Sequence, residues 1–414
     1  MIAPQSTVKV NDIRSIHRVI VIGAGPAGAA AAMRLHDQGR SVLWVDRSDF
    51  PRPKVCGCCL NLAAIGGLAL VRCDQTVRDL VAGELRYWKL ENGGRKIDAS
   101  LPGGIAVSRT RMDVALIDEA RSRGIEMRTN CDARIVDVTA KSVVVRLSDA
   151  SRDEAFDVAL LATGLSGGGV SRWLPWIQEP SGPLGAGIVV DELTGVAPQT
   201  IHMICGDQGY VGLVQLEDGR IDVAAALRKE KFSETGGESL KSGRAEILNQ
   251  INSILASSSL GTLPQELATS LMTTPPLHRQ RRAGSGRLLA IGDAAGYVEP
   301  FTGEGMAWAI GTGIAAADCI DGDRVNLDLG QQWCDTYAAM MRKRQWICRA
   351  LSQSLASPSS SRWLMRGMHL APWIVRRAIW RLNKPLPVAG RAVDLLTRRV
   401  SEGPDAAPRS RVGL

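Results

Sequence analysis

No stretch of this 414-residue chain approaches the roughly 20 consecutive apolar residues that a membrane-spanning helix requires. Residues Met1 to Asn11 have neither the basic stretch nor the apolar core of a secretory signal. From these two absences we expect a cytosolic protein that touches a membrane at most from outside. The nine cysteines are odd in number and lie in a long chain without a signal, which argues against a disulfide scaffold. The five histidines (His17, His36, His202, His278, His369) form no metal-like pair. The Cys56, Cys58, Cys59 cluster has no second cysteine pair to complete a tetrahedral site. No metal is therefore expected, and no internal repeat is visible. A uniformly basic surface is also lacking. Residues 362–414 hold 11 Lys and Arg against 3 Asp and Glu, which accounts for the whole formal charge of +8. The rest of the chain is balanced, so nucleic acid is not an expected partner.

Apolar residues make up 45% of the chain, enough for a large core and two substantial domains. Residues 19–22 are β-branched and apolar, as in a buried parallel strand. An Ala-rich helix over 27–38 follows, then a second strand over 41–45, making a β-α-β unit. The pattern also predicts helices over 61–71, 113–123, 306–319 and 329–355, and buried strands over 158–163 and 288–291. Residues 125–147 alternate in strand fashion. Residues 184–228 read as strands and turns, with a hairpin at Asp218-Gly219. Strands of the buried type thus lie at both ends of the body. We expect a discontinuous α/β domain over 15–70, 101–170 and 275–330, a substrate domain over 71–100 and 171–274, and a helical C-terminal region over 331–414.

Two glycine motifs carry the chemistry. In Arg18-Val-Ile-Val-Ile-Gly23-Ala-Gly25-Pro-Ala27-Gly28, Gly23 permits a tight turn after the strand. Gly25 lets backbone approach a pyrophosphate, and Gly28 lets helix pack on strand. The helix start at Ala27 offers free N–H groups and a positive dipole end to phosphates. Asp46, at the end of the second strand, stands where a carboxylate accepts hydrogen bonds from a ribose diol. Far downstream, Gly292-Asp293 ends another buried strand, and its Asp is placed for a ribityl hydroxyl or for a helix cap. Pro300-Phe-Thr-Gly303-Glu304-Gly305 then opens a helix, and its N–H groups can face the pyrimidine edge of a flavin. Together the two motifs point to FAD.

With Pro51-Arg-Pro-Lys-Val-Cys56-Gly57 and Arg109-Thr-Arg-Met-Asp113 added, roughly residues 15–350 resemble the FAD-dependent geranylgeranyl reductase family. That family stands with the aromatic hydroxylases and flavin halogenases of the p-hydroxybenzoate-hydroxylase fold. The resemblance implies a Rossmann-like FAD-binding domain, an inserted antiparallel substrate sheet and C-terminal helices. It implies that Arg109 contacts FAD and that Cys56 lies near the isoalloxazine and the substrate. The chain also departs from its relatives. Ala162-Thr-Gly164-Leu-Ser-Gly167 lacks the Asp of the hydroxylase Gly-Ala-Asp-Gly segment, which weighs against NAD(P)H handling of the hydroxylase type. Trp173-Leu-Pro-Trp176-Ile-Gln does not match the halogenase pattern. Gly209-Tyr210-Val-Gly-Leu-Val-Gln215 stands where prenyl-lipid reductases carry Tyr-x-Trp-x-Phe-Pro, leaving Tyr210 as the candidate substrate residue.

The Cys56-Gly-Cys58-Cys59 loop reads either as a source of an acid or redox-active thiol, or as small residues packed on the flavin. His202 reads as a core or surface residue, with a substrate-facing position as the alternative. Residues 363–382 mix Trp and Ile with Arg, either an interfacial helix pair or a helical cap. The expected activity is an FAD-dependent oxidoreductase on a bulky apolar substrate, isoprenoid or polyketide-like, with reductase or dehydrogenase chemistry through flavin N5. NAD(P)H is the expected external donor, Cys56 is a candidate proton carrier, and Glu304 reads either as a proton carrier or as a structural residue. The alternatives are an FAD-dependent monooxygenase of aromatic or polyketide substrates, and a flavin-binding protein without turnover.

Overall fold

The computed structural model describes residues 18–166, 168–228, 239–298, 301, 303–320, 329–356 and 365–384. His17, Pro300, Thr302 and Trp363 lie outside these residues. A six-stranded sheet forms the first layer. Its strands run in the order Gly284–Ser285, Leu288–Ala290, Val158–Leu161, Arg18–Ile22, Ser41–Val45 and Glu126–Arg128. All pairings are parallel except the short Gly284–Ser285 edge. The central strand pairs Val19 with both Val158 and Val42, and Val19 to Val21 are fully buried. The helix Pro26–Asp37 returns over this sheet. Its alanines let the helix Gly305–Cys319 approach closely: a Cβ on Gly313 would stand 2.3 Å from the Ala27 carbonyl oxygen. The two distant glycine motifs are thereby brought side by side.

The second layer is an eight-stranded sheet in the order Gly296–Tyr297, Met272–Arg281, Trp176–Val190, Ile221–Leu227, Gly209–Gln215, Thr200–Gly206, Tyr87–Asn92 and Arg95–Ser100. The hairpin expected at Asp218-Gly219 joins two of its central strands. The sheet is antiparallel apart from one parallel pairing, Thr200–Gly206 with Tyr87–Asn92. Side chains alternate along its strands. Ala186, Ile188, Val211, Leu213, Val223 and Ala225 pack beneath the helix Ser239–Leu255 in a core of their own. Their neighbours Gly185, Gly212, Ala224 and Ala226 look the other way and line a cavity.

Three boundaries differ from the sequence reading. Residues 71–78, expected in the substrate domain, put Val71, Cys73 and Val77 into the nucleotide-domain core. Met272–Arg281 and Gly296–Tyr297, read mostly into the nucleotide domain, are strands of the large sheet, because the long strand Trp176–Val190 offers Met272–Arg281 a hydrogen-bonding edge and Gly296–Tyr297 pairs with that strand in turn. The helix expected from Asp113 begins at Arg109. Ser108 caps it, its hydroxyl accepting from the Arg111 N–H at 3.3 Å. Apolar spacing missed this first turn because it opens on Arg109-Thr-Arg111, with a buried arginine where the pattern seeks an apolar residue.

Candidate functional site

The strand-turn-helix at the amino end builds the site from backbone. Gly23 has φ +114°, and a Cβ there would lie 2.3 Å from the Ala162 carbonyl oxygen. The Trp44 indole donates to the Gly23 carbonyl at 3.0 Å and fixes the turn. Gly25 caps the helix and Pro26 opens it, so the first N–H groups remain free to face a phosphate. Asp46 is buried beneath this turn. Its Oδ2 accepts from the Ala24 N–H at 2.7 Å and from Arg52 Nη2 at 3.1 Å, and its Oδ1 accepts from the Ser48 N–H at 2.8 Å.

Three cations converge beside the turn. Arg109 is buried and grips Asp113 with both arms, Nε to Oδ1 at 2.9 Å and Nη2 to Oδ2 at 2.7 Å. Burial opposes its charge, but Asp113 and then the Cys56 sulfur outweigh that and hold its pKa above the ordinary value. A Cβ on Gly25 would lie 3.5 Å from Arg109 Nη2, so the glycine keeps that space open. Lys54 reaches toward Gly164, and its pKa is pushed down by burial first and by Arg109 next. Arg52, the third cation, is the partner of Asp46. Two cations crowded against each other, one buried and one half-buried, call for an anion, and a pyrophosphate at the helix N-terminus supplies one. Asp293 stands on the other side. Its carboxyl is pushed up by burial, against the pull of Lys54, Arg109 and Arg279, which suits a hydrogen bond to a hydroxyl. Gly25, Ala27, Arg109, Asp293, Gly303 and Gly305 all line one cavity of about 820 Å³. The residues present fit FAD. The turn, Arg109 and Lys54 would hold the pyrophosphate, Asp46 the adenosine ribose, Asp293 the ribityl chain, and Gly303 to Gly305 the ring edge.

Gly28 and Gly292 support these groups from behind. A Cβ on Gly28 would lie 1.9 Å from the Gly23 oxygen, while the N–H of Gly292, at φ +58°, donates to Thr312 Oγ1 at 2.9 Å. Glu304 is different. It is fully buried at the start of the helix Gly305–Cys319, and its carboxylate pairs with Arg344 from the helix Leu329–Ala356. It is not among the cavity-lining residues. Of the two roles expected for Glu304, this placement favours the structural one: its carboxylate ties the glycine loop to the next helix. His202 is also structural. It is buried, its pKa is pushed down chiefly by burial, and its Nε2 accepts from the Ala197 N–H at 3.1 Å.

The cysteine loop meets the cavity where the two layers join. Cys56 faces Arg109, and the Cys58 thiol donates toward it. That hydrogen bond, assisted by Arg109 against the effect of burial, pulls the Cys56 pKa below the usual thiol value. Cys58 is pushed up, first by its contact with Cys56 and then by burial. Its backbone sits at φ 52°, uncommon for a residue with a side chain, and its carbonyl is fixed by the Val107 N–H at 2.9 Å. Behind Cys58 lies Asp222, opposite Val189 and Val214, which pack on the same thiol. Asp222 is buried, its Oδ2 has no hydrogen-bond partner, and burial followed by the Cys56 charge pushes its carboxyl well up. Sequence reading missed Asp222, although a single acid in Ile221-Asp-Val-Ala-Ala-Ala-Leu227 was the available signal. It also missed Lys54, which lay inside the quoted loop.

From this junction the cavity opens against an apolar wall. Tyr210 packs edge-to-face on Phe301, with centroids 5.1 Å apart at 87°. Trp88, Met203 and Met368 continue the wall, and the helix Pro372–Leu382 closes it with Val375, Ile379 and Leu382.

Among described residues no group of His, Cys, Asp and Glu could hold a metal. No described helix is long and apolar enough to cross a membrane. Comparison with known proteins agrees with the geometry. Residues 17–161 match the model of the FAD binding domain. Menaquinone reductase of Mycobacterium tuberculosis is 25% identical over 359 residues, covering 82% of this chain and 84% of the relative. Monooxygenase CTB7 of Cercospora beticola is 28% identical over 164 residues, covering 36% of this chain and 39% of that one. In fold, the chain is similar to Klebsiella pneumoniae HpxO complexed with FAD and uric acid, with a TM-score of 0.68, 15% identity, and coverage of 89% of this chain and 97% of that one. The fold is α/β of the p-hydroxybenzoate-hydroxylase type and the cofactor is FAD. The protein is an FAD-dependent oxidoreductase.

Proposed function

We propose that this oxidoreductase reduces a bulky apolar substrate of isoprenoid or polyketide type. The observation that carries the reading is the single cavity that runs from the nucleotide turn past Cys56 to the wall of Trp88, Met203, Tyr210 and Phe301. Glycine and alanine along the sheet keep its floor flat. The menaquinone reductase likeness spans most of the chain and favours a prenylated ring as substrate. When bound, FAD supplies two-electron reducing chemistry, and the protein's task is orientation, shielding and proton supply. Cys58 Sγ keeps a proton against Cys56 Sγ, and Asp222 keeps one behind it. A proton passed from Cys58 to Cys56 and out to the substrate would be restored from Asp222. NAD(P)H is the proposed donor.

Anaerobic turnover tests the reading. The FAD-loaded full chain, given NADPH, NADH or dithionite and a menaquinone-type quinone, should form reduced product without oxygen. A second reading, monooxygenation, is supported by the CTB7 match over part of the chain. A strict oxygen requirement with ¹⁸O from O₂ in the product would replace the first reading by the second. Retained FAD that never turns over with any donor would leave only a flavin-binding protein.

A further inference from the structure

The C-terminal helix has two faces with different chemistry. Its inner face closes the cavity through Val375, Ile379 and Leu382. Asn383 anchors it there: its Oδ1 accepts from the Leu62 N–H at 3.0 Å, and its Nδ2 donates to the Ile379 carbonyl at 2.9 Å. The outer face leaves Trp373 55% exposed and Trp380 48% exposed, and Leu370 just before the helix is 83% exposed. Large apolar groups at such exposure are unusual on a water-facing helix. Between them stand Arg376, Arg377 and Arg381, all exposed, with the Arg377 guanidinium 5.8 Å from the Trp373 ring centroid. No Asp or Glu occurs anywhere between Asp335 and Asp394, a segment with 11 Lys and Arg.

We propose that this outer face docks on an anionic lipid bilayer, so that the same helix that closes the cavity lies at the lipid surface and admits substrate from it. Trp and Arg on one face, with no acid nearby in the sequence, complement the apolar boundary and the negative headgroups of such a surface. A protein or second copy on this face would have to supply acids for several guanidinium groups. The role as substrate entrance rests on the apolar-substrate reading above, whereas docking itself does not.

The test is co-flotation of the FAD-loaded full chain with vesicles of phosphatidylcholine alone or of phosphatidylcholine with phosphatidylglycerol at about 3:1. The expected result is at least roughly tenfold stronger partition onto the anionic vesicles, weakened by salt. Trp fluorescence should shift to the blue on binding. Trp373→Ser with Trp380→Ser should abolish the shift and most of the partition. Arg376→Glu with Arg377→Glu should lower partition at least roughly tenfold. Both variants should keep FAD and its visible spectrum, since neither pair lines the cavity. Equal affinity for neutral and anionic vesicles, or none for either, would overturn the proposal. So would a wild-type dimer in lipid-free buffer that the Trp variant dissociates. These readouts need no substrate, so their failure leaves the reductase reading standing, and failure of anaerobic turnover leaves docking standing.

Discussion

Behind the nucleotide end of the cavity, a methyl group added to Gly23 or Gly28 meets backbone; at the substrate end, one added to Gly212 meets a side chain. A Cβ on Gly23 or Gly28 would stand 2.3 Å or 1.9 Å from a carbonyl oxygen, while one on Gly212 would stand 3.2 Å from the Met203 sulfur. Charge divides in the same way. The nucleotide end holds Asp46, Arg52, Lys54, Arg109, Asp113 and Asp293 within reach of one another's fields, whereas the far wall is Trp88, Met203, Tyr210, Phe301 and Met368. The cofactor end is thus set by groups that cannot move without unfolding the turn. The substrate end is set by side chains that repack at modest cost, and Met is the most adaptable of them.

That contrast can be broken by substitution. Gly25→Val should have the largest effect, lowering FAD affinity more than about a hundredfold by filling the space before Arg109; flavin stoichiometry of the purified variant checks it, and a normally yellow protein would remove the assignment. Cys56→Ser comes next. It should retain FAD but slow turnover roughly a hundredfold, in the range of a lost general acid. Unchanged rates would return the cysteine to a packing role.

Asp222→Asn separates the two ends by pH. The carboxyl of Asp222 is raised in the folded protein, so the native state binds more protons than the unfolded one once pH passes the ordinary carboxylate value. The wild type therefore loses stability as pH rises from there toward the raised folded value. The Asn variant should not, and should gain on the wild type as pH is raised from about 4 to about 8. Urea unfolding at both pH values measures this; parallel curves would mean that Asp222 is ionised in place. Gly212→Ala should be the mildest, costing less than about 1 kcal/mol while changing KM for the bulkiest substrates about threefold. A loss of FAD in that variant would show that the two ends are not independent.

The nucleotide end was the readable one. Strand, turn and helix are consecutive there, and the glycine spacing reflects local geometry, so the strand Arg18–Ile22, the helix Pro26–Asp37 and the strand Ser41–Val45 follow in the expected order. The helix expected over 61–71, found as Leu62–Leu70, was visible for the same reason. The role of Glu304 was left open because its partner Arg344 is 40 residues away and on another helix. Asp222 was overlooked because nothing local marks a strand acid as buried beside a thiol from a loop far earlier in the chain.

The chain order of small, apolar and acidic residues determined by itself that a dinucleotide turn forms and that a second glycine motif follows another buried strand far downstream, because each depends on contacts within a few residues. Tertiary structure alone decided which side of the large sheet faces the cofactor, which carboxylate stands behind Cys58, and that the C-terminal helix closes the cavity. Those outcomes depend on the packing of segments far apart in sequence, where periodicity states that a face is apolar but not what it will cover.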